Sequence, residues 1–296
     1  MTRLEPLEKS VRGTILFDEP MSRHTSFHIG GKAEALVLPS DEEDLLNLIK
    51  ILDKENIPYY LLGNGTNVLV SDKGLKGVVI KLGNHLVGID PTKGSALAGT
   101  SLPKLLNTLC KQGLSGLEKL AGIPGSVGGA IKMNAGVPFF TIGDALKAVR
   151  VYQKGEVFWL NKEDMVFSYR HSSLSDAVIL EALFNLFPRL SSEIARNIEE
   201  ILKQRKITQP IRAHSAGCVF KNPPGATAGE LLDKVGAKGM RQGNAYVSYK
   251  HANFIINGGN ATAKDIYLLI QKCKELVKEK LSIELQLEIE LWGEFP

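Results

Sequence analysis

An α+β fold in two or three domains is predicted by three features of the sequence. Helix-type and strand-type apolar periods are mixed along the chain. Two strand-like runs meet across the two-residue turn Lys154-Gly155, as an antiparallel hairpin requires. The 296 residues exceed what one hydrophobic core usually serves.

The elements follow in order. Ala35–Leu38 reads as a short strand. Ser40-Asp-Glu-Glu43 has the spacing of a capping box, with Ser40 as the cap, and opens a helix carrying Leu45, Leu48, Ile49 and Leu52 on one face. "IPYYLLG" is a strand, "NGTN" a turn, and "VLVSD" and "GVVIKL" are further strands, so a βαβ start passes into tighter β structure. "LPKLLNTLCKQGL" is a helix with Gly113 at its C′ position. "ALKAVRVYQKGEVFWL" is the hairpin and "AVILEALFNLF" a buried strand. In "SSEIARNIEEILKQRKITQP" Ser192 is the expected cap, Ile194, Ile198, Ile201 and Leu202 form the apolar stripe, and the helix leads to a third domain. There, a short helix near 228–235 precedes the strand "ANFIIN" and the turn Asn257-Gly-Gly-Asn260. Thr262-Ala-Lys-Asp265 caps a helix with Ile266, Leu269, Cys273, Leu276 and Val277 inward, and "IELQLEIELWG" alternates as a closing strand.

Composition narrows the class. At 44% hydrophobic and 23% charged the chain is an ordinary globular one. The net charge of +4 is spread out. It suits an anionic small substrate or a merely solvated surface, and it makes no concentrated nucleic-acid footprint. The N-terminal stretch lacks the apolar region of a signal peptide, and no apolar run approaches the ~18 residues of a membrane span. A cytoplasmic protein is expected. Cys110, Cys218 and Cys273 are odd in number and far apart, which argues against disulfides and a cysteine zinc site.

Four stretches could carry chemistry. "GIPGSVGGAIKMNAG" (122–136) places glycine at 122, 125 and 128, then at 129 and 136. It is neither a Walker A loop nor a Rossmann fingerprint. It is either a pair of tight turns or, with the second small-residue loop "GNGTN" (63–67), an anion nest of backbone N–H groups around a pyrophosphate. In "SAGCVFKNP" Cys218 is either a buried inert thiol or a reactive one tuned by His214 and Lys221. In "FSYRHSS" Arg170 is either a surface arginine or a guanidinium fork for a carboxylate. Glu284, Glu288 and Glu290 share one parity of the closing strand, which by itself reads as a solvated face. His24 and His28 have i, i+4 spacing, but their Thr, Ser and Gly-Gly neighbours disfavour a helix and no third ligand is visible, so no metal is expected.

Together "TSFHIGG", "GNGTNVLVSD", "GIPGSVGGAIKMNAG", "YR", "SAGCVFKNP", "VSYKHANFIIN" and "LEIELWG" resemble, in order and from about residue 20 to the C-terminus, the UDP-N-acetylenolpyruvoylglucosamine reductases. These are flavoenzymes of bacterial peptidoglycan precursor synthesis, and the last domain looks like the shorter, type II branch.

The resemblance implies a three-domain FAD-binding fold of the vanillyl-alcohol-oxidase (PCMH) type. Residues 1–83 and 84–190 would form two FAD-binding subdomains, and 191–296 a C-terminal α/β substrate domain. It implies non-covalent FAD held by Gly63, Asn64, Gly65, Thr66, Asn67, Val68 and Leu69, by Gly122, Ile123, Pro124, Gly125, Ser126, Val127, Gly128 and Gly129, and by Asn134, Ala135 and Gly136. NADPH would reduce the flavin, and UDP-N-acetylglucosamine enolpyruvate would take hydride from flavin N5 to become UDP-N-acetylmuramate. By the same resemblance Arg170 would stabilise the substrate carboxylate, Cys218 would donate the proton, and Glu288 would assist as an acid. Tyr169, Lys221 and Asn222 match substrate contacts. Cys218 replaces the usual serine, and Leu287 stands where proline is usual. No self-association stripe is evident, so a monomer is expected. Two other readings are a flavin oxidase or dehydrogenase on the same scaffold and a non-catalytic nucleotide-binding protein. The closing glutamate and the "SAGCVFKNP" run argue against the first, and the complete acid–base set against the second.

Overall fold

The computed structural model describes residues 4–83 and 86–296. The chain divides into two compact units, each built from separate stretches. The first comprises Met1–Phe17, Ala35–Asn64 and Gly77–Gln204, and the second Asp18–Glu34, Gly65–Lys76 and Arg205–Pro296. The expected boundary between residues 83 and 84 falls at positions 84–85, outside the described residues.

The first unit has two apolar cores. A four-stranded sheet runs in the order Thr14–Pro20, Lys32–Leu38, Leu75–Lys81, Tyr59–Leu62. The expected strand–helix–strand start is present, with Leu75–Lys81 inserted between its two strands and parallel to Tyr59–Leu62. The helix Glu42–Lys54 buries Leu45, Leu48, Ile49 and Leu52 in the first core, as its period requires. Its cap is Asp41 rather than Ser40: the Asp41 side chain accepts the Asp44 N–H. The pattern was one residue out because the stretch offers several cap-competent residues in succession.

The second core lies under a five-stranded antiparallel sheet ordered Glu156–Asn161, Leu146–Gln153, Val178–Phe184, Ser95–Leu97, Ile89–Asp90. Lys154 and Gly155 both have positive φ (+52° and +91°), the paired left-handed turn that matches strand twist. The helix Leu102–Lys111 ends with Gly113 at φ +67°. The helix Ser191–Thr208 starts one residue before the expected cap, so Ser192 lies inside its first turn. Ile198 and Ile201 pack on the second core and Ile194 is buried, while Leu202 is exposed. The N-terminal part of that helix therefore belongs to the first unit, and the division between the units falls within the helix.

The second unit has one core. The antiparallel strands Arg241–Gln242, Ala245–Val247 and Ile255–Asn257 form one sheet. The helix Ala263–Leu281 buries Ile266, Leu269, Cys273 and Val277. Thr262 Oγ1 accepts the Asp265 N–H and the Asp265 carboxylate accepts the Thr262 N–H, a full capping box. The closing segment is less regular than its alternation suggests. Only Glu290–Trp292 is a strand, parallel to Val68–Val70, and Leu287 forms an isolated bridge with Phe220. Leu285 and Ile289 stay buried, so the period survives while the backbone partner changes midway. Among the described residues no helix is long and apolar enough to cross a membrane.

Candidate active site

In the first unit the two small-residue loops meet. The Asn64 side chain donates to the Pro124 carbonyl over 2.8 Å. A Cβ on Gly63 would lie 2.3 Å from Ser126 Oγ, closer than any side chain tolerates. Among the described residues, the backbone N–H groups of Gly63, Asn64, Gly122, Gly125 and Ser126 donate to no protein acceptor. They are donors of the kind an anionic diphosphate recruits. The next three N–H groups are spent internally: Val127 on Thr100 O, Gly128 on Ala98 O and Gly129 on Ser126 Oγ.

 Glycine at 128 answers a different need, since a Cβ there would sit 2.9 Å from the Ala98 Cβ. Part of the run therefore serves chain-on-chain packing and part leaves donors for a ligand.

Asn134, buried at φ +42°, ties this run to the arginine hairpin. Its side chain donates to Ser168 O (2.9 Å) and accepts from Gly143 N–H (3.2 Å). Phe167–Ser168 pairs with His171–Ser172, which leaves Tyr169 and Arg170 as the two turn residues. Arg170 takes φ +55°, a left-handed conformation that costs an L-residue on the order of 1 kcal/mol. Its Nη1 donates to Gly136 O over 3.3 Å, and its guanidinium lies 5.3 Å from the Tyr169 ring centre. Arg170 is therefore anchored to the end of the glycine stretch.

In the second unit, a Cβ on Gly65 would meet His24 O at 2.0 Å, so glycine is required there. The N–H groups of Gly65, Thr66 and Asn67 likewise donate to no protein acceptor among the described residues. Asn67 reaches the closing segment twice: its side chain donates to Glu288 O (3.2 Å) and its carbonyl accepts the Glu290 N–H (2.9 Å). Val68 and Leu69 continue into the strand that pairs with Glu290–Trp292.

The cysteine strip joins the same segment. Glu288 N–H donates to Val219 O (2.8 Å) and Lys221 N–H to Gln286 O (2.9 Å). Cys218 and Glu288, 70 positions apart, are thus held on neighbouring, hydrogen-bonded stretches. Both are half-buried, whereas Glu284 is exposed, so the shared parity does not amount to a uniformly solvated face. Asn222 Oδ1 accepts the Ala228 N–H (2.9 Å), which ties it to the start of the helix Ala228–Lys234. The three cysteines form no disulfide, and burial pushes the Cys273 thiol up to about 12, an inert core thiol.

His24 Nε2 lies 2.9 Å from Glu19, and His28 stacks on His214 with ring centres 4.1 Å apart. Among the described residues no group of three or more His, Cys, Asp or Glu is placed to hold a metal. Sequence reasoning did not single out Asn253, a buried amide that bonds Phe220; an asparagine ahead of the apolar stretch 254–256 of "ANFIIN" was the available signal.

Residues 33–161 match an FAD binding domain family, and residues 209–292 match the C-terminal domain of UDP-N-acetylenolpyruvoylglucosamine reductase. The UDP-N-acetylenolpyruvoylglucosamine reductase of Moorella thermoacetica is 44% identical over 97% of this chain and 96% of its own length. That of Bacillus licheniformis is 40% identical over 98% of each. The crystal structure of the enzyme from Thermus caldophilus superposes with a TM-score of 0.83 at 40% identity, over 95% of this chain and 99% of that one. The mixed α+β class and the FAD-binding fold expected of the sequence stand. The chain belongs to the UDP-N-acetylenolpyruvoylglucosamine reductase family.

Proposed function

We propose that this oxidoreductase converts UDP-N-acetylglucosamine enolpyruvate to UDP-N-acetylmuramate for peptidoglycan precursor synthesis, with NADPH as reductant and non-covalent FAD, as a cytoplasmic monomer. The observation that carries the reading is the pairing of the Cys218 strip with the Glu288 segment, which holds a thiol and a carboxyl on adjacent backbone. Residues 1–83 and 84–190 serve as the two FAD-binding subdomains and 191–296 as the substrate domain.

The unspent N–H groups of the loops at 63–67 and 122–126 suit the FAD diphosphate. Val68, Leu69 and the stretch 127–129 shape the cradle, and 134–136 borders it. FAD held there would supply the two-electron chemistry that links NADPH oxidation to reduction of the enol ether at its methylene carbon. Negative charge then develops toward the substrate carboxylate. Arg170, a permanent cation, stabilises that charge more in the transition state than before it. Cys218 donates a proton to the neighbouring carbon. A thiol is more acidic than a serine hydroxyl, so donation is no harder than with the usual residue. Glu288 supports this proton transfer as a second acid. Tyr169, Lys221 and Asn222 contact the sugar nucleotide.

The test is anaerobic addition of NADPH to the purified protein, followed by the enolpyruvyl sugar nucleotide, with flavin absorbance as the readout. Bleaching and then recovery is expected. Bleaching without recovery would remove the cell-wall substrate, and the lack of a flavin spectrum would remove the cofactor.

A further inference from the structure

The strip Val219–Lys221 is held on both edges. One edge meets residues 286–288 through backbone bonds. The other edge meets a side chain. Asn253, 2% exposed, accepts the Phe220 N–H at Oδ1 (2.9 Å) and donates from Nδ2 to the Phe220 carbonyl (2.8 Å). The Asn253 carbonyl also accepts the Val219 N–H (2.8 Å). One side-chain amide thus offers the donor and acceptor that a neighbouring strand would have offered.

The loop that carries Asn253 is braced by its own bonds. Ser248 Oγ accepts the N–H groups of Lys250 and His251, and His251 Nδ1 accepts the Asn253 N–H (3.2 Å). The His251 ring stands edge-on to Phe254, with ring centres 5.0 Å apart. Burial, with the Lys238 charge adding to it, holds His251 below its ordinary value and keeps Nδ1 open as an acceptor. The amide is therefore presented from a rigid loop to a peptide two residues beyond Cys218.

We propose that Asn253 is a positioning residue for the reaction: its amide fixes the Phe220 peptide and thereby aims the Cys218 thiol. The inference rests on the proton-donor reading of Cys218. No other residue of similar size supplies both bonds at neutral pH, since alanine supplies neither and aspartate turns a second oxygen on the Phe220 carbonyl. Protonated aspartate restores the donor, so Asn253→Asp should be switchable by acid.

The experiment uses the flavin-loaded full chain carrying Asn253→Asp. FAD content and the NADPH half-reaction report the fold. Flavin reoxidation by the enolpyruvyl sugar nucleotide, and alkylation of Cys218 by iodoacetamide read by peptide mass spectrometry, report the thiol. Normal FAD content and normal reduction are expected. Reoxidation should be slower by about tenfold or more at neutral pH, the scale of one lost buried hydrogen bond. The ratio to wild type should recover as pH falls toward the carboxyl range, and Cys218 alkylation should depart from wild type and recover in parallel. Full FAD content with wild-type reoxidation and alkylation at every pH would overturn the proposal. A wild-type protein that never reoxidises would sink the functional reading instead, while alkylation still decides the positioning. Should the aspartate variant fail to fold, Asn253→Ala is read by alkylation alone, and an unchanged Cys218 rate overturns the proposal.

Discussion

The backbone N–H of Glu288 donates to the carbonyl of Val219 over 2.8 Å, so the glutamate is anchored beside the residue that follows Cys218. That bond is main chain to main chain, and the glutamine isostere retains it. Glu288→Gln should therefore keep the fold and FAD while lowering turnover by ~100-fold or more, the usual range for a lost acid. Steady-state rates with saturating substrate check this, and an unchanged rate would return Glu288 to a structural role.

Replacing the thiol separates the two half-reactions. Cys218→Ala should leave flavin reduction by NADPH intact and slow reoxidation by the sugar nucleotide by ~100-fold or more. Cys218→Ser should retain much of the activity, because a hydroxyl can still donate. Stopped-flow flavin absorbance reads both steps. Loss of the reduction step in Cys218→Ala would show that the thiol serves the cofactor and not the product.

Close approach at Gly63 makes a third prediction. A Cβ there would sit 2.3 Å from Ser126 Oγ, which caps the helix Val127–Lys132 by accepting the Gly129 N–H. Gly63→Ala should displace Ser126 and weaken FAD binding by roughly tenfold or more, as losing one well-placed hydrogen bond would. Titration of the apoprotein with FAD measures it. Wild-type affinity would mean that Ser126 can move without disturbing the donors around it.

Local chemistry was the legible part of this molecule. The Lys154-Gly155 turn and the Thr262–Asp265 capping box depend on residues a few positions apart, and both are present as read. Helix starts slipped by one residue at Asp41 and Ser191, where neighbouring residues compete for the cap. The closing segment misled further. Its alternation records burial, but the ladder changes partner near Glu288, and alternation carries no information about partners. The approach of Cys218 to Glu288 entered through the family resemblance and not from periodicity, because it depends on contacts across 70 positions. The Asn253 bonds to Phe220 span 33 positions and left only a buried amide as their trace.

Arg150 tests what joins the two cores of the first unit. Its guanidinium makes a bidentate pair with Glu42 (2.6 and 2.7 Å) and a longer bond to Glu181 (3.3 Å). The Glu42 bond raises the arginine above its ordinary value despite burial. Arg150→Met keeps the stem and removes the fork, leaving two partly buried carboxylates unmatched. A loss of ~1–3 kcal/mol is expected in denaturant unfolding, with KM for NADPH unchanged. Equal midpoints would mean that solvent replaces the pair without cost.

Asp44 gives a pH-dependent prediction. Burial pushes its carboxyl up, but N–H bonds from Ser40, Arg12 and Gly13 outweigh this, and the net shift is downward. A carboxyl held below its unfolded value binds its proton less readily when folded. Its contribution is therefore complete above the unfolded value of ~3.9 and is lost as pH falls through the folded one. Asp44→Asn removes the charge and sets an NH₂ among N–H donors. The variant should be less stable than wild type by ~1–3 kcal/mol at neutral pH, with the gap narrowing below about pH 4. Denaturant unfolding of both proteins at neutral pH and near pH 3 measures the gap. A gap of equal size at both would mean that the charge of Asp44 contributes nothing and that only its shape matters.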